Sequence, residues 1–398
     1  MDTVVPLDAA TAAHGAKAAG LGALRRAGLP VPVGVVVPAS LEGVDLRAAV
    51  DGALDALGRH APLAVRSSAT DEDGPTVSAA GQYETVLGVT GAGDVVAAVL
   101  ACRASAAGPR VTAYRAATTG APAAGTPAPE VAVVVQRLVD ARAAGVLFTG
   151  GGRTVVEASW GLGESVVRGA VDPDRWTVAD GRVVERRTGT KRTRVDRSPA
   201  GVAAREVPGA DRGRPCLDEA TVLHVAALGD QVASLRGGPQ DVEWAVDDDG
   251  AVWLLQARPV TAALPPDRGE RDPGGPLAPR SPRDRADDGR AVLRGTGASG
   301  GRASGPARVV RGPDEFGTVR PGDVLVCCGT DPAWTPLFGV VAAVVTETGG
   351  LLSHAAIVAR ELRLPAVLGV AGATDALRDA GSLAVDGDAG TVVVAAPA

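Results

Sequence analysis

Long hydrophobic runs are missing from this chain of 398 residues. No apolar stretch approaches the roughly 18 residues that a membrane-spanning helix needs. The opening MDTVVPLDAA also lacks the basic end and apolar stretch of a secretory signal. Both point to a cytoplasmic protein without a membrane partner. An excess of positive charge is missing as well, with a net charge of −6 and an isoelectric point near 5.4. That excludes a nucleic-acid partner, because a phosphate backbone calls for a basic face. Cysteine is scarce: Cys102, Cys216, Cys327 and Cys328 form no CxxC pair and stand at no zinc spacing to a histidine, so they read as free thiols. The run DVLV before Cys327 and Cys328 turns at least one of them into a core. Lysine is scarcer still. Of 40 Lys and Arg side chains only Lys17 and Lys191 are lysines. Lys17 stands in the glycine-rich turn HGAKAAG, where a compact point charge differs from the planar fork the chain otherwise prefers.

What is present describes a globular protein, 45% hydrophobic and 22% charged. Its length suggests about two or three domains. Apolar runs alternate with helical patterns, the signature of an α/β (α+β) chain. In AAHGAKAAGLGALRRAGLPVPVGVVV a turn precedes a helix with Ala18, Leu21, Leu24 and Arg25 in helical spacing. AGLPVP ends it, and VGVVV reads as a buried strand. LAVRSS, EVAVVVQRLV, AGVLFT, TVVEAS and AVWLLQARPV are further strands, several continuous enough to be covered on both faces. From Leu264 to Arg290, six prolines, four glycines and twelve charges in 27 residues leave almost nothing to bury. This reads as a linker. It separates a module of residues 1–263 from a module of residues 291–398. The second opens with LRGTGASGGRASGPARVV, a glycine-rich turn followed by a strand, and continues as a compact β/α domain with two or three helices.

Two stretches of the first module carry chemistry. AVRSSATDEDGPTVSAAGQYET offers Arg66, Ser67, Ser68 and Thr70, then an acidic-glycine turn and Ser78 to Gln82. Hydroxyls and amides of such a loop surround phosphate oxygens, and an arginine at the end of LAV stands where ligands gather in α/β folds. DVEWAVDDDGAVWLLQARPVT is a hairpin about the DDDG turn. Alternation puts Asp241 and Glu243 on one face and aligns Gln256 with Arg258. Four polar groups on one face are costly in a core without a ligand. A magnesium nucleotide satisfies them, with oxygens for the hard cation and arginine for phosphate.

HGAKAAGLGALRRAGLPVPVGVVV, AVRSSATDEDGPTVSAAGQYET, VQRLVDARAAGVLFTG, GLGESVVRGAVDPDRW and DVEWAVDDDGAVWLLQARPVT occur in one order over nearly the whole first module. This module resembles the ATP-grasp domain of the phosphoenolpyruvate synthase, pyruvate phosphate dikinase and rifampin phosphotransferase group. The resemblance implies that Lys17, Arg66 and Arg110 contact phosphates of ATP and that Gln136 lies near the adenine. It implies that Glu243 and Gln256 hold Mg²⁺ and that Arg258 lies on the triphosphate. Lys191 is a weaker carry-over. The chain departs from the pattern at Ala79, where the group has phenylalanine, and after Thr149, where GGGRT replaces an acidic-proline turn.

TGGLLSHAAIVARELRLPAVLGV holds one of only four histidines. Ser353 is the expected N-cap, Val358 and Leu362 form a buried stripe, and Pro365 stops the helix. His354 then falls in the first turn, where free amides and the positive end of the dipole favour an anion, such as a phosphoryl group on the ring nitrogen. On a turn rather than in a core, His354→Ala would change stability by under about 1 kcal/mol. His14, His60 and His224 read as surface residues. With GTDPAWTPLF and ASGGRASGPARVV before it, this module resembles the swivelling phosphohistidine domain of the same group. His354 matches the phosphorylated histidine and Thr348, Gly349 and Gly350 the turn beside it. The resemblance implies transfer of ATP's β-phosphate to His354, with AMP and phosphate released, and then to an acceptor such as pyruvate or a small-molecule hydroxyl. The group's large acceptor-binding domain finds no counterpart in the chain. The acceptor site is therefore expected on a separate acceptor-binding subunit, or between the modules. Two other functions stay open: a condensing ligase of a natural-product pathway, and a non-catalytic ATP-binding carrier module.

Overall fold

A computed structural model of the chain describes residues 3–70, 72, 83–108, 111, 130–264, 291–394 and the backbone of 284–285. The chain divides into two units, Met1–Val167 with Pro173–Thr261, and Arg168–Asp172 with Ala262–Ala398.

The first unit carries two large antiparallel sheets. One has the order β1-β2-β5-β3-β4, built from Val5–Pro6 (β1), Gly34–Val37 (β2), Leu63–Ala69 (β3), Thr85–Val89 (β4) and Val131–Arg137 (β5). Helices Gly43–Leu57 (α2) and Ala92–Ser105 (α3) cover one of its faces, where Leu46, Val50, Leu54, Val95 and Val99 meet Leu63, Val65, Val133 and Val135. Each such side chain contributes about 1.5–3 kcal/mol by leaving water. Helix Ala16–Arg26 (α1) buries Ala18, Leu21 and Leu24 in a second core.

That second core also takes one face of the six-stranded sheet β13-β12-β6-β7-β8-β9. Its strands are Ala141–Gly150 (β6), Arg153–Trp160 (β7), Asp174–Ala179 (β8), Arg182–Arg187 (β9), Gln240–Asp247 (β12) and Val252–Pro259 (β13). Between them in sequence, Thr193–Ser198 (β10) and Gly201–Glu206 (β11) pair as a hairpin. Helix Glu219–Arg236 (α4) covers the core face. Asp218 caps it, its carboxylate accepting from the Thr221 amide at 2.8 Å, and left-handed Gly237 ends it. Among the described residues every pair of these strands is antiparallel. The α/β alternation thus folds as α+β here.

The second unit holds a nine-stranded sheet, β14-β15-β22-β21-β17-β18-β19-β20-β16. The strands are Asp284–Arg285 (β14), Ala291–Arg294 (β15), Thr296–Ser299 (β16), Arg302–Val309 (β17), Val324–Cys327 (β18), Ala343–Thr346 (β19), Ala366–Leu368 (β20), Ser382–Asp386 (β21) and Thr391–Val394 (β22). Among the described residues, β17 through β20 alone run parallel to one another. Helix His354–Glu361 (α5) packs Ala355, Ala356, Val358 and Ala359 against Leu325, Val344 and Leu368. The glycine-rich opening is not a turn but three strands. A Cβ on Gly297 would stand 2.2 Å from Gly387 O, and one on Gly305 2.1 Å from Gly322 O. Glycine is required there because a backbone carbonyl of another segment passes too close for a side chain. Asp284–Arg285, inside the expected linker, pairs with β15. Among the described residues no helix is long and apolar enough to cross a membrane.

All four thiols are free, and Cys102, Cys216 and Cys327 are buried while Cys328 is exposed. Burial pushes the Cys102 thiol up to about 12 and raises Cys216, Cys327 and Cys328 as well, but Cys328 alone among the four is open to a reagent. An alkylating reagent at neutral pH is therefore expected to modify one thiol of the native protein, at Cys328, and four after denaturation. Mass spectrometry of the native adduct checks this; two or more fast-reacting thiols would contradict the burial.

Candidate active site

The hairpin β12–β13 is set by its turn. Gly250 takes a φ of 85°, and the Asp247 carboxylate accepts from the Ala251 amide and from Trp253 Nε1, both at 2.8 Å. The register pairs Asp241 with Arg258 and Glu243 with Gln256. Val242 and Trp244 point into the core, so these four polar residues share the opposite face, as the alternation implied. They do not wait for a ligand to satisfy them. Arg258 donates through Nε to Asp241 Oδ2 at 2.8 Å, and its Nη2 lies 2.7 Å from the same oxygen. Arg66 Nη2 donates to Glu243 Oε2 at 2.8 Å and to Gln256 Oε1 at 2.6 Å, while Nη1 holds Leu255 O. Arg66 does not stand at a strand end. Its small neighbours Ser67, Ser68 and Ala69 extend β3 along β5, leaving it in the middle of the strand.

Lys17 comes from the first turn of α1, which is tied to β3. Ser68 Oγ donates to His14 O at 2.8 Å and accepts from the Ala18 amide at 3.0 Å. Gly15, with a φ of 84°, leads into this helix, and a Cβ there would lie 2.1 Å from Ser68 O. Lys17 is buried and donates to Ser67 O at 2.8 Å and to Glu72 Oε1 at 2.6 Å. An ammonium has three donors, so among the described residues one N–H of Lys17 is left to take a ligand oxygen. Gln136, next to the last residue of β5, is buried with Nε2 on Pro32 O at 2.9 Å. Arg110 and Ser78 to Gln82, with Ala79, lie outside the described residues.

Lys191 is a different case. It has no solvent exposure, and its ammonium meets Asp174 Oδ1 at 2.6 Å, Gly189 O at 3.0 Å and Arg212 O at 3.2 Å. All three donors are used. Asp174 also accepts from the Gly189 and Cys216 amides. This lysine ties the Asp174 carboxylate to two backbone carbonyls and has no N–H to give a nucleotide, which corrects its reading as a nucleotide contact.

In the second unit His354 is the first residue of α5, as its sequence neighbourhood implied. It is only 3% exposed, however, so it does not sit on an open turn. Thr330 Oγ1 lies 3.4 Å from Nδ1, Thr335 Oγ1 lies 3.3 Å from Nε2, and the Phe338 ring is 6.3 Å away. Ser353 occupies the N-cap position, but its hydroxyl turns back to donate to Gly350 O at 2.9 Å rather than accepting a helix amide. Thr348 is fixed to Cys328 O through its amide at 2.9 Å and its hydroxyl at 3.0 Å. Gly349 has a φ of 110°, and Arg360 holds Leu351 O at 2.8 Å, so the Thr348–Gly350 turn is braced on both sides. His60 and His224 are exposed as expected, while His14 is half-buried, its Nδ1 accepting from the Thr11 amide at 3.2 Å. Sequence reasoning passed over Thr330, Thr335 and Glu72. The first two stood inside GTDPAWTPLF without a visible partner, and Glu72 looked like one more acid in a solvated turn.

Comparison with known proteins matches two stretches of the chain. Residues 43–270 match the family described as pyruvate phosphate dikinase, AMP/ATP-binding domain, and residues 319–390 match the PEP-utilising enzyme, mobile domain. The chain belongs to the pyruvate phosphate dikinase and phosphoenolpyruvate synthase family. Its nucleotide module is of the ATP-grasp type, and His354 and the Thr348–Gly350 turn lie within the match to the family's mobile domain. A probable phosphoenolpyruvate synthase of Methanothermobacter thermautotrophicus is 36% identical over 337 residues, 83% of this chain and 46% of that protein. One from Pyrococcus abyssi is 38% identical over 348 residues, 83% of this chain and 40% of its own length. The phosphoenolpyruvate synthase of Aeropyrum pernix is 33% identical, covering 96% of this chain and 56% of that protein. The chain spans about half the length of these relatives.

The family implies a divalent cation, and the residues fit one. Glu243 Oε2 and Gln256 Oε1 are hard oxygen donors that already converge on one point, the Arg66 nitrogen. Among the described residues no three His, Cys, Asp or Glu side chains gather into a metal cage. Two protein oxygens completed by phosphate oxygens is the usual arrangement for Mg²⁺.

Proposed function

We propose that this chain is an ATP-dependent phosphotransferase of the dikinase type. It moves the β-phosphate of ATP to His354, releasing AMP and phosphate, and then passes it to an acceptor. The convergence of Arg66 on Glu243 and Gln256, on the hairpin that also carries Arg258, supports this reading, because it gathers arginine cations and paired hard-oxygen donors suited to a magnesium nucleotide. Lys17, Arg66, Arg110 and Arg258 neutralise the triphosphate. Gln136, whose carboxamide is held by Pro32 O, presents its oxygen to the adenine amino group. Glu243 and Gln256 hold Mg²⁺, which when bound draws charge from the phosphate oxygens. Catalysis of this kind is mainly positioning and electrostatics.

At the receiving end, a ring nitrogen of His354 forms the N–P bond, the bond from the β-phosphorus to AMP breaks, and water takes the γ-phosphoryl group. Thr330 and Thr335 hold the imidazole plane from its two nitrogens. The Thr348–Gly350 turn and the amides at the start of α5 receive the phosphoryl charge. Pyruvate is the first acceptor to test, since relatives carry the name phosphoenolpyruvate synthase.

The test is product analysis. AMP and orthophosphate should form from ATP in equal amounts, and ADP as the main product would overturn the reading. Glu243→Ala should leave the fold intact and cut AMP formation by roughly 2–4 kcal/mol of transition-state stabilisation. Unchanged AMP formation would remove Glu243 from the site.

A further inference from the structure

Arg66 touches the same two oxygen atoms that the proposed function gives to the metal. Its Nη2 lies 2.8 Å from Glu243 Oε2 and 2.6 Å from Gln256 Oε1. Gln256 is 5% exposed and Arg66 9%, so their bond is screened from water, while the Glu243 side chain is 22% exposed and its bond to Arg66 is partly screened. One side-chain nitrogen bridges both oxygens, on the side from which Arg66 reaches them. A Mg²⁺ bound on that side to the same oxygens at about 2.0–2.1 Å would overlap that nitrogen. The two also carry charge of one sign, and close like charges in a poorly hydrated site repel strongly.

We propose that Arg66 is an internal cation that competes with the divalent metal for Glu243 and Gln256. Metal alone must expel Arg66 and leave a buried guanidinium without its counter-charge, which is costly. Metal arriving with a polyphosphate meets no such cost, because the released guanidinium turns to a phosphate oxygen and gains a charge-assisted bond there. The site therefore takes metal and phosphate together and holds metal poorly without phosphate. Leu255 O, on Nη1, is the pivot about which the guanidinium turns. Sequence alone assigns Arg66 to phosphate and the hairpin oxygens to metal. The geometry links the two roles through one side chain. This inference rests on the reading of Glu243 and Gln256 as cation ligands, but not on turnover.

The experiment titrates the full chain with Mn²⁺ in the absence of nucleotide and follows free Mn²⁺ by electron paramagnetic resonance. Arg66→Met should bind Mn²⁺ roughly tenfold or more tightly than the wild-type protein, within the usual range for coupled sites. Adding Glu243→Gln to Arg66→Met should erase the gain. Arg66→Lys, which keeps a cation but not the reach to both oxygens, should fall between wild type and Arg66→Met. It decides the matter by itself if the methionine variant does not fold. An affinity in the Arg66 variants equal to or below that of the wild type overturns the proposal, as does a gain that survives Glu243→Gln. If ATP gives ADP rather than AMP, the proposed function fails while the Mn²⁺ result still stands.

Discussion

His354→Ala protein incubated with Mg²⁺ and β-labelled ATP takes up no label, whereas the wild type acquires a label that is acid-labile and base-stable. Label in the γ position appears as free phosphate in the wild type. The expectation follows from place and surroundings together. His354 opens α5 behind the braced Thr348–Gly350 turn, and a threonine hydroxyl approaches each ring nitrogen. His60 and His224 are exposed, and His14 is engaged by the Thr11 amide. The stability cost exceeds what an exposed turn would give. With His354 3% exposed, its removal leaves a gap and takes from the Thr330 and Thr335 hydroxyls the ring nitrogen each of them meets, about 1–3 kcal/mol. His354→Gln, which keeps a polar side chain of similar length, should recover part of the stability and none of the label. Label that survives either substitution, or that comes from the γ position, would mean the histidine has another task.

Much of this site was legible because its residues lie on elements with a clear period. Strict alternation in DVEW and LQAR placed Asp241, Glu243, Gln256 and Arg258 on one face, and the register bears that out. The DDDG turn leaves little freedom in how the two strands meet. His354 was legible for a similar reason, since a glycine turn, a serine and an apolar helix fix the first helical position.

What could not be read depends on contacts distant in sequence. Arg66 and Glu243 are 177 positions apart, and no local pattern says that one neutralises the other. The same holds for Thr330 and Thr335, which meet the imidazole from a separate segment. The glycine-rich opening of the second unit misled in a different way. Glycine marks a turn when it supplies a positive φ, but Gly297 and Gly305 serve instead to let the backbone carbonyls of Gly387 and Gly322 approach closely. Composition alone does not separate these uses. Burial of His354 was missed because the first turn of a helix is open to water unless another segment covers it.

The two lysines give the widest separation between expected effects. Lys191→Met should destabilise the protein by about 3–5 kcal/mol, because it leaves the Asp174 carboxylate in a site with no exposure and without its counter-ion. Asp174 is fixed in β8 and cannot move to water without unpairing the strand. A marginally stable domain can lose most of its folded population to such a change. Lys191→Met with Asp174→Asn removes both charges and should recover a large part of the loss. Lys17→Met breaks a buried pair of similar length, 2.6 Å to Glu72. Glu72, however, stands past the last residue of β3 rather than inside a strand, so its carboxylate can reach water at smaller cost. The stability loss should therefore be the lesser of the two, while AMP formation from ATP falls by roughly 2–4 kcal/mol of transition-state stabilisation. Chemical denaturation and AMP formation, measured on the same preparations, separate the two roles. If Lys191→Met keeps wild-type stability, the buried pair is not the clamp its geometry describes. If Lys17→Met keeps wild-type AMP formation, the N–H that Lys17 leaves open is not used by the nucleotide.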